Sequence, residues 1–221
     1  MIEKQNHTLA TSSNGGASFL FGHKEQVAFI LNCIKTNQIP NAWLLHGPAG
    51  IGKASLALNV AKALSSVGFL KNRSLSHISE KDIRDPYLST WSNNIFFCKR
   101  KWDDKKKLFQ KNISIDDIRE LRRKVSLSST DNSYKVCIVD TTEDLNLSAS
   151  NSLLKILEEP PKKTLFILVS NNKQSILPTI FSRCQKIAFQ RLSEGDLRNI
   201  SMGFLKENQF EQLKKYGALT S

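Results

Sequence analysis

Gly47, Gly52 and Lys53 stand in the spacing G-x-x-x-x-G-K, with Gly50 between the two outer glycines. A loop of this pattern cradles phosphates with its backbone N–H groups and reaches the outer phosphates with its lysine. A closing Ser or Thr hydroxyl then holds Mg²⁺. Here the closing residue is Ala54, which has no hydroxyl. Ser55 is one position further along, turned away by about 100° if a helix starts at the lysine, and is a poor replacement. The loop therefore predicts a nucleotide-binding ancestry and puts hydrolysis in question. The plainer alternative is a loop kept for the fold, or one that holds an anion weakly through its N–H groups and the helix dipole.

Two further positions could join this chemistry. Asp140 ends the apolar run Val136-Cys137-Ile138-Val139, and in phosphate-loop ATPases a strand-end Asp helps hold Mg²⁺. Many such enzymes follow it with a Glu that activates the attacking water. This chain has Thr141 there, and Glu143 could take that place only if the loop were distorted. Arg183, in Ser182-Arg183-Cys184, is read either as an ordinary surface charge or as an arginine finger reaching a neighbour's γ-phosphate.

The elements that must position these residues are legible from periodicity. Apolar residues at Val27, Ile30, Leu31 and Ile34 predict a helix within 22–37, ended by Pro40. The run 42–46 predicts a strand that leads into the glycine loop, and the stripe Leu56, Ala57, Val60, Ala61 and Leu64 predicts the helix after it. Strand, loop, helix is the context such a loop requires. Strands are also predicted at 95–98, 135–140, 165–169 and 186–189. Helices are predicted at 115–125 with Ser114 as N-cap, at 148–158 ended by Pro160, and at 176–181. Continuous apolar strands alternating with helices predict an α/β domain: a parallel sheet covered on both faces. Residues 1–18 read as a flexible tail, 19–190 as the α/β domain, and 191–221 as the start of a second, helical unit too short to fold alone.

Composition narrows the class. The formal net charge of +12 makes an acidic partner plausible, nucleic acid first; a lysine-rich solvated surface is the bland alternative. The segment 99–111, with Trp102 among Lys99, Arg100, Lys101, Lys105, Lys106 and Lys107, is a charged loop that could meet DNA phosphates. Internal Asp–Lys compensation in a solvated loop is the competing and favoured reading. Cys33, Cys98, Cys137 and Cys184 form no C-x-x-C pair, so no metal site is expected, and free thiols fit a reducing compartment. The polar N-terminus carries no signal peptide pattern, and no apolar run is long enough for a membrane span.

These residues together resemble the delta-prime subunits of the bacterial DNA polymerase III clamp loader, within the AAA+ ATPases. The resemblance rests on Gly22-His23, the loop from Gly47 to Lys53, Asp140, the run Asn151-Ser152-Leu153-Leu154-Lys155-Ile156-Leu157-Glu158-Glu159-Pro160-Pro161 and the triplet Ser182-Arg183-Cys184. It spans roughly 22–192. The resemblance implies a three-layer AAA+ P-loop domain with a five-stranded parallel sheet, followed by a small helical lid. On that resemblance Ser221 is expected to fall inside the lid, ahead of the collar that family members carry, as in a reduced gene or a fragment. It implies a cytoplasmic subunit of the DNA polymerase III holoenzyme that helps place the sliding clamp on primed DNA. Its implied partners are the tau/gamma motor subunits and delta, with clamp and DNA met through the complex. Arg183 is the implied arginine finger, acting in trans. Gly47, Gly50, Gly52, Lys53 and Asp140 are the implied nucleotide-site positions. No cofactor is required, and Ala54 and Thr141 count against ATP as a working ligand. The alternatives are an active AAA+ motor subunit and a basic DNA-binding module. Motor subunits usually carry a cysteine-rich zinc module, which this chain lacks.

Overall fold

The computed structural model describes residues 22–65, 78, 94–126 and 134–197. Helix α1 (Lys24–Lys35) precedes strand β1 (Ala42–His46), and the glycine loop then opens α2 (Lys53–Ser65). Strand β2 (Ile95–Cys98), a short ribbon of β3 (Trp102–Asp103) and β4 (Leu108–Phe109), and α3 (Ile115–Ser126) follow. The remainder is β5 (Lys135–Val139), a 3₁₀ turn (Thr142–Asp144), α4 (Leu147–Glu158) and β6 (Thr164–Ser170). A second 3₁₀ turn (Lys173–Ser175), α5 (Pro178–Arg183) and β7 (Gln185–Ala188) complete it.

The main sheet has the order β2-β5-β6-β1-β7, with every pairing parallel. Alternation along the strands divides the core into two layers. Trp43, Leu45, Val136, Ile138, Leu165 and Ile167 pack with α1 and α2 on one face. Leu44, Cys137, Val139, Phe166 and Leu168 pack with α3, α4 and α5 on the other. Burial of both faces is the reason these strands are apolar without interruption.

Local chemistry sets the element ends. At α3, the Ser114 hydroxyl accepts from the Asp117 N–H at 3.3 Å, and the Ser114 N–H donates back to the Asp117 carboxylate at 2.8 Å. This reciprocal box makes Ser114 the expected cap. Asn146 caps α4 by accepting from the Ala149 N–H at 2.8 Å. Two expectations are corrected. The 99–111 segment is not a loop throughout: Trp102 pairs with Phe109 and Asp103 with Leu108 in an antiparallel ribbon. The short helix expected at 176–181 starts at Pro178 instead, because proline suits the first helical turn. The tail expected at 1–18 lies outside the described residues, as does most of the 191–221 unit, of which one helical turn at 194–197 is described.

Candidate nucleotide site and the exposed arginine

The strand order places three loops side by side at the carboxyl ends of the strands. The glycine loop leaves β1, Asn171 follows β6 and Asp140 follows β5, and β6 lies between the other two. Crevices at this end of a parallel sheet are where such folds bind ligands.

The loop is tightly built. A Cβ on Gly47 would fall 2.2 Å from the Phe189 carbonyl oxygen, so only glycine lets the chain pass there. Gly50 has φ +77° with open space around it, so its constraint is backbone conformation alone. From the other side, His23 Nε2 donates to the Ile51 carbonyl at 2.6 Å, and its ring meets Phe189 edge-on with centroids 4.9 Å apart. His23 thus buttresses the loop, a role its sequence position does not disclose.

Lys53 is buried, with 3% of its surface exposed. Its ammonium donates to the Gly47 carbonyl at 2.9 Å, to the Pro48 carbonyl, and to Asn171 Oδ1 at 3.0 Å. An ammonium has three donors, and all three are engaged within the chain. Burial lowers its pKa, while the nearby charges of Glu143 and Asp140 act in the opposite direction. Asn171 had no sequence signal; an Asn just past an apolar strand is ordinary, and only the pairing of β6 beside β1 brings it to the lysine.

The Asp140 pKa is raised from its ordinary value, first by burial, with Glu143 and Asp144 adding to the shift and Lys99 opposing it. Thr141 has φ 61°, unusual for a β-branched residue, and leads into the 3₁₀ turn. The chain thus departs from a regular turn directly after Asp140. The Glu143 carboxylate accepts from the Asn171 N–H at 2.9 Å, and its second oxygen is buried without a hydrogen-bond partner. Glu143 so belongs to the Lys53 cluster, although Thr141 holds the position next to Asp140.

The donor set suits an anion: glycine-loop N–H groups, the start of α2 and one ammonium. It fits a magnesium nucleotide less well. Ala54 contributes a methyl group where the metal ligand belongs, which leaves Asp140 as the motif's remaining metal-binding position. Among the described residues, no group of three or more His, Cys, Asp or Glu is placed to hold a metal ion.

Arg183 is elsewhere. It ends α5, just before β7, where Gln185 pairs with Trp43 and Ala188 with His46. Arg183 therefore sits toward the amino ends of the strands, whereas the glycine loop leaves the carboxyl end of β1. Its guanidinium is part-exposed, bonded to Glu158 at 2.5 Å and to the Thr179 carbonyl at 3.0 Å. The structure brings Gly47, Gly50, Gly52, Lys53 and Asp140 together and keeps Arg183 apart from them.

A five-stranded parallel sheet in this order, with the glycine loop after its second-to-last strand in space, is the AAA+ P-loop fold. Solved structures agree on it: a DNA polymerase III gamma subunit-related protein of Thermotoga maritima (TM-score 0.58, 19% identity, 86% of this chain and 53% of that one). The RuvB Holliday junction branch migration motor of the same organism also matches (TM-score 0.52, 17% identity, 81% and 49%). The chain belongs to the family described as DNA polymerase III, delta subunit, whose model matches residues 22–193. Its relatives include DNA polymerase III subunit tau of Bacillus subtilis, 30% identical over 78% of this chain and 28% of that protein. Subunit gamma of Buchnera aphidicola subsp. Schizaphis graminum is 28% identical over 87% of this chain and 50% of that one. Subunit delta' of Pseudomonas aeruginosa is 31% identical over 66% and 42%. The chain spans half the length of these relatives or less. No described helix is long and apolar enough to cross a membrane.

Proposed function

We propose that this chain is a delta-prime-like subunit of the DNA polymerase III clamp loader that contributes Arg183 to the ATP site of a neighbouring subunit. The observation that carries the reading is the separation of Arg183 from the chain's own glycine loop. A guanidinium near the opposite end of the strands cannot serve the loop of its own domain, and its part-exposed position suits a site supplied by another subunit. The state of the loop supports the same reading. Ala54 removes the metal hydroxyl, Thr141 stands where a water-activating Glu belongs, and Lys53 is held by internal acceptors.

In this role the subunit works in the cytoplasm beside the tau/gamma motor subunits and delta. It hydrolyses little or no ATP itself and meets the sliding clamp and primed DNA through the complex. The test is a loader reconstituted with tau/gamma and delta. Arg183→Ala should lower its ATPase rate while the variant still assembles and folds. An ATPase rate equal to wild type in the assembled variant complex removes the finger role. The motor reading is tested separately: ATP turnover by this chain alone, abolished by Lys53→Ala, would favour it.

A further inference from the structure

The 99–111 segment is a preformed hairpin, and its construction separates cations that hold the fold from cations that face solvent. At its base, Arg100 Nε pairs with Asp144 at 2.9 Å, and Lys101 Nζ pairs with Asp117 at 2.6 Å and Glu120 at 3.3 Å. These ion pairs fasten the hairpin to α3 and to the turn after Asp140. At its tip, the Asp103 carboxylate accepts from the Lys105 and Lys106 N–H groups at 3.0 and 3.1 Å, and Lys107 takes φ 54° to close the turn. That carboxylate is occupied with the backbone of the turn. Lys105, Lys106 and Lys107 are exposed and carry no ion pair among the described residues.

Beside these lysines stands an aromatic that a folded domain would ordinarily bury. Trp102 is 48% exposed, fixed edge-on against Phe109 with centroids 5.0 Å apart. A ring half exposed and held edge-on by Phe109 can stack on a planar partner with little loss of freedom. The chain's net charge of +12 selects for a polyanion. A polyanion with unstacked planar groups at regular intervals is a single nucleic-acid strand.

We propose that the β3–β4 hairpin binds single-stranded nucleic acid, with Trp102 stacking on an unpaired base and Lys105, Lys106 and Lys107 meeting phosphates. The hairpin departs from the edge strand β2 at the carboxyl ends of the strands, so a strand held there passes the same end of the domain as the glycine loop. The proposal does not depend on the role of Arg183.

The test uses the full chain and a fluorescein-labelled oligothymidylate of about 15 nucleotides, followed by anisotropy across a salt series. Changing Lys105, Lys106 and Lys107 together to Gln should reduce the slope of log affinity against log salt by about 2, at ~0.7 for each phosphate no longer neutralised. Trp102→Ala should weaken binding about 5- to 150-fold at one salt concentration and leave the slope unchanged. Trp102→Phe, which keeps a ring beside Phe109, should retain most of the affinity and guards against a folding artefact. A triple-lysine variant with the wild-type slope overturns the proposal. So does displacement of the labelled strand by polyglutamate, or by a blunt duplex, as effectively as by the unlabelled strand.

Discussion

Lys53 Nζ donates to Asn171 Oδ1 at 3.0 Å, joining the glycine loop after β1 to the residue that follows β6. With the Gly47 and Pro48 carbonyls as its other acceptors, the one cation of the loop is satisfied before any phosphate arrives. A phosphate entering the loop has to displace these internal acceptors, and Ala54 gives no metal ligand in return. MgATP at about 1 mM should then stabilise the chain by no more than about 0.4 kcal/mol, or roughly 1–2 °C in Tm, as for a dissociation constant no tighter than that concentration. Ala54→Thr should enlarge the MgATP shift and leave the shift with metal-free ATP unchanged. Differential scanning fluorimetry checks both; a wild-type shift of many degrees would contradict the closed-loop account.

Gly47 and Gly50 are distinguished by what surrounds them. Gly47→Ala drives a Cβ to 2.2 Å from backbone that has no flexible tip to move, so it should cost about 3 kcal/mol or prevent soluble expression. Gly50→Ala meets nothing within 4 Å and should cost about 1 kcal/mol, from the left-handed backbone alone. Urea unfolding of both variants measures the difference, and equal losses would refute the packing argument.

Asp117 ties α3 to the hairpin. Burial by itself would raise its carboxyl, but bonds from Lys101 and Ser114 outweigh that and hold it below the ordinary value of 3.8. A carboxyl whose folded pKa lies below its unfolded one stabilises fully above the unfolded value and loses that contribution as pH falls through the folded one. Asp117→Asn should therefore cost about 1–2 kcal/mol near neutral pH, through the lost capping box and ion pair. Its cost should start to shrink as the pH falls below 3.8 and vanish only below the lower folded pKa, where the wild-type carboxyl is protonated too. Stability curves at several pH values decide this, and a cost independent of pH would be the contrary result.

The Arg183–Glu158 pair is exposed on both sides, with side chains 38% and 48% accessible. Pairs of this kind contribute about 0–1 kcal/mol. Arg183→Ala should thus leave the unfolding midpoint of the chain almost unchanged, so that any effect on a reconstituted complex reports function and not folding. A loss of several kcal/mol in denaturant titration would assign Arg183 to the core framework instead.

What the sequence determined by itself was local. The five strands of the main sheet, the glycine loop in its strand–helix setting, Ser114 as a cap and the missing hydroxyl at Ala54 all follow from spacing within a few residues, because periodicity and turn chemistry act over that range. The ribbon at Trp102–Asp103 and Leu108–Phe109 was not legible, since two-residue strands carry no period and the charges around them read as loop. The neighbours in the site were decided by tertiary structure alone. Asn171 meets Lys53 because β6 pairs with β1, and the two residues are 118 apart in sequence. Glu143 joins them because Thr141 turns the chain into a left-handed step. Arg183 is set toward the far end of the strands from the glycine loop because the parallel register of β7 against β1 starts there. Strand order and register depend on pairings between segments distant in the chain, and no local pattern encodes which apolar strand lies beside which.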